Sequence, residues 1–546
     1  MNKVAHYLQE HLIGEVFTSA DTRAYFATDG SILQLVPSLV VYPRNENDMR
    51  KTTRFTWQLA ERGRIIPITA RGMGTDVGGA ALGSGIIMVF PAHMHKILEL
   101  DSKSGVVAVQ PGTIFGKLQQ TLHTHGRFVP VFPASVEYTS VGGAIANNCS
   151  GERSGKYGSA RDYVKGLRVV LANGELIETG RISKREVAKK LGLSTLEGEI
   201  YRGIDALIEE YADVIKNMPP LPRINSSGYA IGEVRRKDGS MDLTPLIVGS
   251  QGTLALISEI VLTTEPYNPE ITALTAGFAT RAAALDAVKE LREMGDGPAV
   301  VDFIDKHLLE HVSRINPQLL KDVVETPLPE MLLYVEFDDD STRQQKRLAK
   351  KARKIIEKYN GYLALASEEH DIDRLKAVRD SAATMWSHVE GTSRSLPIID
   401  DAVVPIDQLH SLLAGIDEMM QRNNQLVFSV SGSALAGSVR VLPHLDISQV
   451  GDRQKAFRLL DEYYTLVISL GGTMSSDHGD GRLRGLELSA QYGDRVVELF
   501  AKVKEVFDPY NTMNPGVKIG STLENIKPLL RSNYTVRQSL EHMPRL

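Results

Sequence analysis

RGMGTDVGG at residues 71–79 and VGGAIANNCSG at 141–151 are glycine-dense, and each closes what reads as a strand-to-turn passage. The first follows the apolar run Ile65-Ile66-Pro67-Ile68. Its Gly72, Gly74, Gly78 and Gly79 can take positive φ at little steric cost and expose consecutive amide donors. Loops of this kind let a backbone approach a pyrophosphate, which suggests a dinucleotide cofactor. Neither is a Rossmann fingerprint, which needs G-x-G-x-x-G opening a helix, nor a P-loop, which needs Lys-Ser/Thr after the last glycine. Tight turns between strands would account for either loop taken alone. A third element, GSQGTLALISEI at 249–260, favours the cofactor reading.

Further along, DHGDG at 477–481 precedes an amphipathic pattern with Tyr492, Val496, Leu499, Phe500, Val503 and Phe507 on one helical face, then FDPYNTMNPG at 507–516. In this order the segments resemble the vanillyl-alcohol oxidase and p-cresol methylhydroxylase (PCMH) flavoproteins. The resemblance is to the branch containing D-lactate dehydrogenase, glycolate oxidase and D-2-hydroxyglutarate dehydrogenase, and it runs from about residue 37 to 520. It implies an α+β chain: a two-subdomain PCMH-type FAD-binding domain over 1–268, a ferredoxin-like cap domain over 269–445, and a C-terminal helical segment over 446–546 returning to the flavin domain.

Composition bounds these expectations. A chain of 546 residues is long enough for several domains, and 42% hydrophobic with 24% charged residues is an ordinary globular balance. A net charge of -5 gives no overall attraction to nucleic acid. The basic run Lys346, Arg347, Lys350, Lys351, Arg353, Lys354, with Leu348, Ile355 and Ile356 on the other face, reads as a solvated helix face. One cysteine, Cys149, excludes an intrachain disulfide and an iron–sulfur cluster held by the chain's own thiolates. No apolar stretch reaches the ~18 residues of a membrane span, and the N-terminus lacks a signal-peptide core, so a cytoplasmic protein, possibly peripheral to the membrane, is expected.

Periodicity places a helix over 45–62, capped by Asn45, feeding a strand over 65–69 and the first glycine loop. Further strands fall at 85–90, 106–112 and 167–179, the last folded at Asn173-Gly174. From about 270 two strand-helix-strand units follow in tandem, with helices over 281–294 and 341–359, an antiparallel sheet with helices on one face. A helix over 407–422 and short strands near 426–432 and 438–443 complete the middle of the chain.

The resemblance carries site residues over. FAD would be cradled by Arg71, Gly72, Met73, Gly74, Thr75, Gly142, Gly143, Asn147, Gly151, Gly252, Thr253, Ile257 and Asn514. His478 matches the histidine that takes the hydroxyl proton while the C2 hydride moves to the flavin. Arg379 in VRDSAATMW matches the arginine that grips a substrate carboxylate, and Arg394 lies where some relatives carry a lysine. Many relatives hold a divalent metal with two histidines and a glutamate. Here Ser433, Arg440 and Asp477 stand in those positions, and a guanidinium repels a cation, so no metal is expected. Arg440 would supply the missing positive charge with Asp477 as its partner. Cys149 could form a flavin bond, but noncovalent FAD is the expectation. HLLEH at 307–311 matches an inverted zinc-protease pattern and is read as an ordinary helix; His93, His95, His123 and His125 are read as surface or core histidines.

The expected activity is oxidation of a D-2-hydroxy acid, of the D-lactate or D-2-hydroxyglutarate type. Electrons would pass to a quinone, a partner protein or oxygen, and a homo-oligomer or a separate electron-transfer subunit is possible. The alternatives are a noncatalytic FAD-binding subunit of a larger electron-transfer complex, or an FAD enzyme of the same fold acting on another alcohol.

Overall fold

The computed structural model describes residues 2–321, 323–324, 326–366, 369–380, 393–424, 426 and 428–534. The tail of the VRDSAATMW motif, beyond Asp380, lies outside them.

The first glycine loop is positioned by a small sheet whose strands run in the spatial order Glu15–Phe17, Leu39–Tyr42, Ile86–Val89, Ile68–Arg71. The last three are parallel and the first is an antiparallel edge. The helix Glu46–Ala60 is capped by Asn45, whose side chain accepts from the Asp48 N–H at 3.1 Å. Leu39, Val41, Ile68, Ile86 and Met88 form one core with Met49 beneath them. The strand expected at 65–69 begins only at Ile68, because Pro67 has no N–H to give a ladder and the Ile68 N–H turns to the Thr512 carbonyl at 2.7 Å. That bond ties the chain's C-terminal part to the first loop.

A second sheet is antiparallel, ordered Ile97–Asp101, Val106–Val109, Leu256–Thr263, Val164–Val170, Leu176–Thr179. The long strand Leu256–Thr263 lies at its centre, so the third glycine element enters between the two sheets. The hairpin at Asn173-Gly174 forms as expected, with Gly174 at φ +83°.

The third sheet begins as a ferredoxin-like unit. Thr272–Phe278, Val300–Asp305, Met331–Phe337 and Tyr362–Ala366 pair in the order fourth, first, third, second, all antiparallel. It then grows past Val300–Asp305 by Phe428–Ser433 and Ser438–Leu445, with Arg394–Ser395 and Asp401–Val403 pairing the last of these. Helices Arg281–Arg292 and Thr342–Lys358 cover one face, burying Leu285, Val288, Leu348 and Ile356 against Leu274, Ala276 and Val335. Leu375 and Val378 of Glu369–Arg379 pack on the other face with Val300, Ile304 and Tyr334. That second face meets the flavin half. Arg153 pairs with the buried Glu336, and Lys156 and Tyr157 hold Asp338 at 2.7 and 2.9 Å.

Candidate active site

The three glycine elements surround a cleft. Arg71, Gly72, Met73, Gly74 and Thr75 line it from one side, Gly142, Gly143 and Asn147 from a second, and Gly252 and Ile257 from a third, with Asp477 and His478 also on its wall. Among the described residues the backbone N–H groups of Gly72, Met73, Gly74 and Thr75 donate no hydrogen bond within the chain. A row of spare amides beside a cleft suits the diphosphate of a dinucleotide.

Of the four glycines expected at positive φ, only Gly74 and Gly79 have it. Gly72 serves close approach instead, since a Cβ there would lie 2.1 Å from Ser140 Oγ of the facing loop. Gly142 packs against a less forgiving neighbour: its Cβ would meet the Pro111 carbonyl oxygen at 2.7 Å and the Pro111 Cα at 2.9 Å. Gly142→Ala is therefore expected to push the second loop into the cleft and lower flavin absorbance per chain severalfold. Full flavin retention would show that the loop yields freely.

Three expected cofactor residues do not line the cleft. The Thr253 hydroxyl turns inward to Tyr229 Oη at 2.6 Å and the Ser250 carbonyl at 2.7 Å. Gly151, at φ +84°, would place a Cβ 2.0 Å from the Phe132 carbonyl and so serves packing. Asn514 works from behind: it donates to the Ala80 and Gln251 carbonyls at 2.9 and 2.8 Å and accepts from Thr69 Oγ1. Arg71 presents its backbone to the cleft, while its guanidinium donates to the Thr28 and Ala81 carbonyls over the Phe26 ring.

Two residues absent from the sequence reading shape the same walls. Asp76 accepts from the Gly78 and Ala80 N–H groups and from Asn147 Nδ2. Gln251 donates to Asn147 Oδ1 and to the His478 carbonyl and accepts from the Gly481 N–H. Cys149 is buried, and burial first, then the Asp477 charge, pushes its thiol well up, so the nucleophilic thiolate is disfavoured.

His478 is held chiefly by two carboxylates outside its motif, Asp400 and Asp401. Its Nδ1 lies 2.6 Å from Asp400 Oδ2 and 3.5 Å from Asp401 Oδ1, and its Nε2 lies 3.7 Å from Asp477 Oδ2. Burial opposes a charged ring, but Asp400 and Asp401 outweigh it and raise the pKa to about 10. At neutral pH the ring is therefore an imidazolium. Arg440 Nη2 stands 3.4 Å from His478 Nε2, with Asp400 at 3.6 Å and Asp477 at 3.7 Å from the guanidinium. None of these contacts is tight, so the fork of Arg440 keeps donors to spare.

Asp401 organises the turn that carries His478. One oxygen accepts from Arg484 Nη2 at 2.8 Å; the other accepts from Ser475 Oγ, Ser476 Oγ and the N–H groups of Ser476, Asp477 and His478. Burial would raise its pKa, yet Arg484 first and then His478 hold it well below the usual carboxylate range. Asp401→Asn leaves the Arg484 charge buried without its partner, a change costing about 3–5 kcal/mol when a buried pair is broken. Its denaturant midpoint should fall accordingly; an unchanged midpoint would mean that water or Tyr464 compensates Arg484.

The two arginines expected to bind a substrate carboxylate stand apart from this knot. Arg379 spends its guanidinium on Glu152 at 2.6 Å and Asp380 at 2.8 Å and lies over the Tyr334 ring. It is thus already paired, contrary to a free clamp, because the flavin-half loop brings Glu152 against it. Arg394 sits on the edge strand opposite Leu445 and donates to the Ser393 carbonyl. Between Arg379 and Arg440 lies Asp302, opposite Ser433 in the sheet. Burial pushes Asp302 up to about 8, with Arg379 pulling back.

Asp400, Asp401 and His478 are, among the described residues, the one set of carboxylate and imidazole donors that converge, within 4.8 Å. They do not fit a divalent metal. Arg440 and Arg484 already neutralise the carboxylates, His478 Nδ1 faces Asp400, and Ser433 offers only a buried hydroxyl. The HLLEH histidines diverge as well: His307 is exposed near Phe428, while His311 is buried against His444. His93 and His123 serve as ordinary packing groups, on Glu15 and Tyr267.

A glycine-walled cleft between two sheets, with a third sheet beside His478, is the architecture of a flavin-binding fold. Residues 37–180 match the FAD binding domain and residues 268–517 match the C-terminal domain of FAD linked oxidases. The chain carries the FAD-binding domain, of PCMH type, and the C-terminal domain of FAD-linked oxidases, and FAD is its cofactor. It is 29% identical to D-2-hydroxyglutarate dehydrogenase of Escherichia coli over 94% of this chain and 51% of that protein. It is 27% identical to D-lactate dehydrogenase of Archaeoglobus fulgidus, over 92% of this chain and 97% of that one. The chain thus spans about half the length of the D-2-hydroxyglutarate dehydrogenases that it matches. Among solved structures, p-cresol methylhydroxylase with substrate bound shares the fold, with a TM-score of 0.68 over 95% of this chain and 96% of that one at 16% identity. No helix among the described residues is long and apolar enough to cross a membrane.

Proposed function

We propose that the chain oxidises a D-2-hydroxy acid, of the D-lactate or D-2-hydroxyglutarate type, at its C2 carbon. The observation that carries this reading is His478 on the wall of the cleft with the Arg440 guanidinium 3.4 Å from its Nε2. Bound FAD supplies the acceptor for the C2 hydride. The glycine loops hold the cofactor without a covalent bond, consistent with the protonated Cys149 thiol. His478 in its neutral form takes the hydroxyl proton at Nε2, and Asp400 orients the ring and stabilises the imidazolium that results. Arg440, with open donors 3.4 Å away, stabilises negative charge developing on the C2 oxygen, a task performed without a metal. Arg379 grips the substrate carboxylate only after releasing Glu152.

Anaerobic addition of D-2-hydroxy acids to the FAD-loaded protein tests the reading. Bleaching of the flavin by D- but not L-acids is expected. The paired state of Arg379 favours a second reading, a noncatalytic FAD-binding subunit within a larger electron-transfer complex; no bleaching by any hydroxy acid would establish that one. Bleaching by uncharged alcohols alone would assign a different substrate class. The electron acceptor, a quinone, a partner protein or oxygen, lies outside the chain in each case.

A further inference from the structure

The helix Thr342–Lys358 is the most strongly charged element of the protein. Arg343, Lys346, Arg347, Lys350, Lys351 and Lys354 are all exposed, and none has a carboxylate within ion-pair distance among the described residues. The other two cations, Arg353 and Lys358, pair with Glu357 and Glu290 at 2.7 Å. No acidic residue occurs from 341 to 356. The helix buries Leu348, Ala349, Ala352 and Ile356 against the cap sheet. The sheet's opposite face carries Tyr334 and Glu336 and meets Arg153 of the flavin half. The cations therefore form the outermost layer, with a whole sheet between them and the active site.

We propose that this helix docks the protein on an anionic lipid surface. The whole chain carries a net charge of -5, so six uncompensated cations on one helix stand against an acidic remainder. An anionic surface would attract this face and repel the others, which fixes the orientation of docking. The stripe spans about 17 Å of helix at 1.5 Å per residue. It is convex and has no aromatic residue between 342 and 358. It thus lacks the rigid aromatic anchors of protein hot spots and the stacking platforms of single-strand nucleic-acid sites. A fluid lipid surface requires neither, because headgroups rearrange under flexible lysines, and each cation adds to a salt-sensitive attraction. Docking in this way favours a quinone dissolved in the bilayer among the acceptors left open above. The inference stands on the helix alone and does not depend on the substrate.

The test is cosedimentation of the full-length FAD-loaded protein with vesicles of phosphatidylcholine, with or without phosphatidylglycerol. Binding to the anionic vesicles is expected at low salt, at least about tenfold above the neutral ones, and loss of it at high salt. The triple variant Lys346→Glu, Lys350→Glu, Lys354→Glu should lose that binding while its flavin absorbance and bleaching stay unchanged. The proposal is overturned if anionic vesicles fail to bind the protein at low salt or bind the variant equally well. It is also overturned if duplex DNA at matched phosphate concentration binds as tightly as the vesicles, which would reassign the helix to nucleic acid.

Discussion

Arg440→Met should slow anaerobic flavin reduction by a D-2-hydroxy acid by about 10²–10³-fold, the usual consequence of removing one preorganised donor to a developing oxyanion. Methionine retains most of the side chain's length and apolar stem, so the strand Ser438–Leu445 keeps its packing and FAD content should not change. The prediction rests on geometry: the guanidinium touches Asp400, Asp477 and His478 only at 3.4–3.7 Å and is not consumed by them. Arg440→Lys restores the charge without the planar fork and should recover part of the rate. A rate within about threefold of the unmodified protein would assign Arg440 to balancing the carboxylates, not to catalysis. Burial would lower the arginine's pKa, but Asp400 and Asp477 more than reverse this, so the group stays charged throughout the accessible pH range and pH cannot mimic the mutation.

Much of this arrangement was legible in the sequence. The alternation of polar caps and apolar runs located the helices Glu46–Ala60, Arg281–Arg292 and Thr342–Lys358 to within a few residues, because Asn45, Thr280 and Ser341 each cap as their side chains suggest. The three glycine elements do converge, and ten of the thirteen expected cofactor residues line one cleft. The local signal ended where tertiary contacts took over. Thr253 and Asn514 stand in the right motifs but turn their side chains elsewhere, Thr253 to the Tyr229 hydroxyl 24 residues away and Asn514 to the Ala80 and Gln251 carbonyls more than 200 residues away. Asp400 and Asp401 were missed because they belong to no glycine motif. Their signal was nonetheless present: two adjacent acids inside the apolar run Ile398-Ile399 to Ala402-Val403-Val404 must be buried, and buried acids need cations. The pairing of Arg379 with Glu152 had no such signal, since nothing local to either residue specifies the approach of the flavin half to the cap sheet.

The pair Asp400–His478 leads to the other large effect, in pH. Proton abstraction needs the neutral ring, and with a pKa of about 10 only about one ring in 10³ is neutral at pH 7. The rate of flavin reduction at saturating D-acid should therefore rise with pH, roughly tenfold per unit, toward an inflection near 10. Asp400→Asn removes the nearest carboxylate. It should move the inflection down toward the ordinary histidine range and raise the fraction of neutral ring at pH 7, although the ring loses its orienting partner. Stability runs the opposite way. The folded pKa lies above the unfolded value of about 6.5, so the ion pairs of His478 contribute fully below that value, and the contribution is lost as pH rises through 10. Reductive rates at high pH should thus be taken after a brief pH jump, before unfolding competes. An inflection near 6.5 in the unmodified protein, or a rate flat from about pH 6 to 10, would show that bound flavin and substrate cancel the field of the two aspartates, and that His478 is already neutral in the working complex.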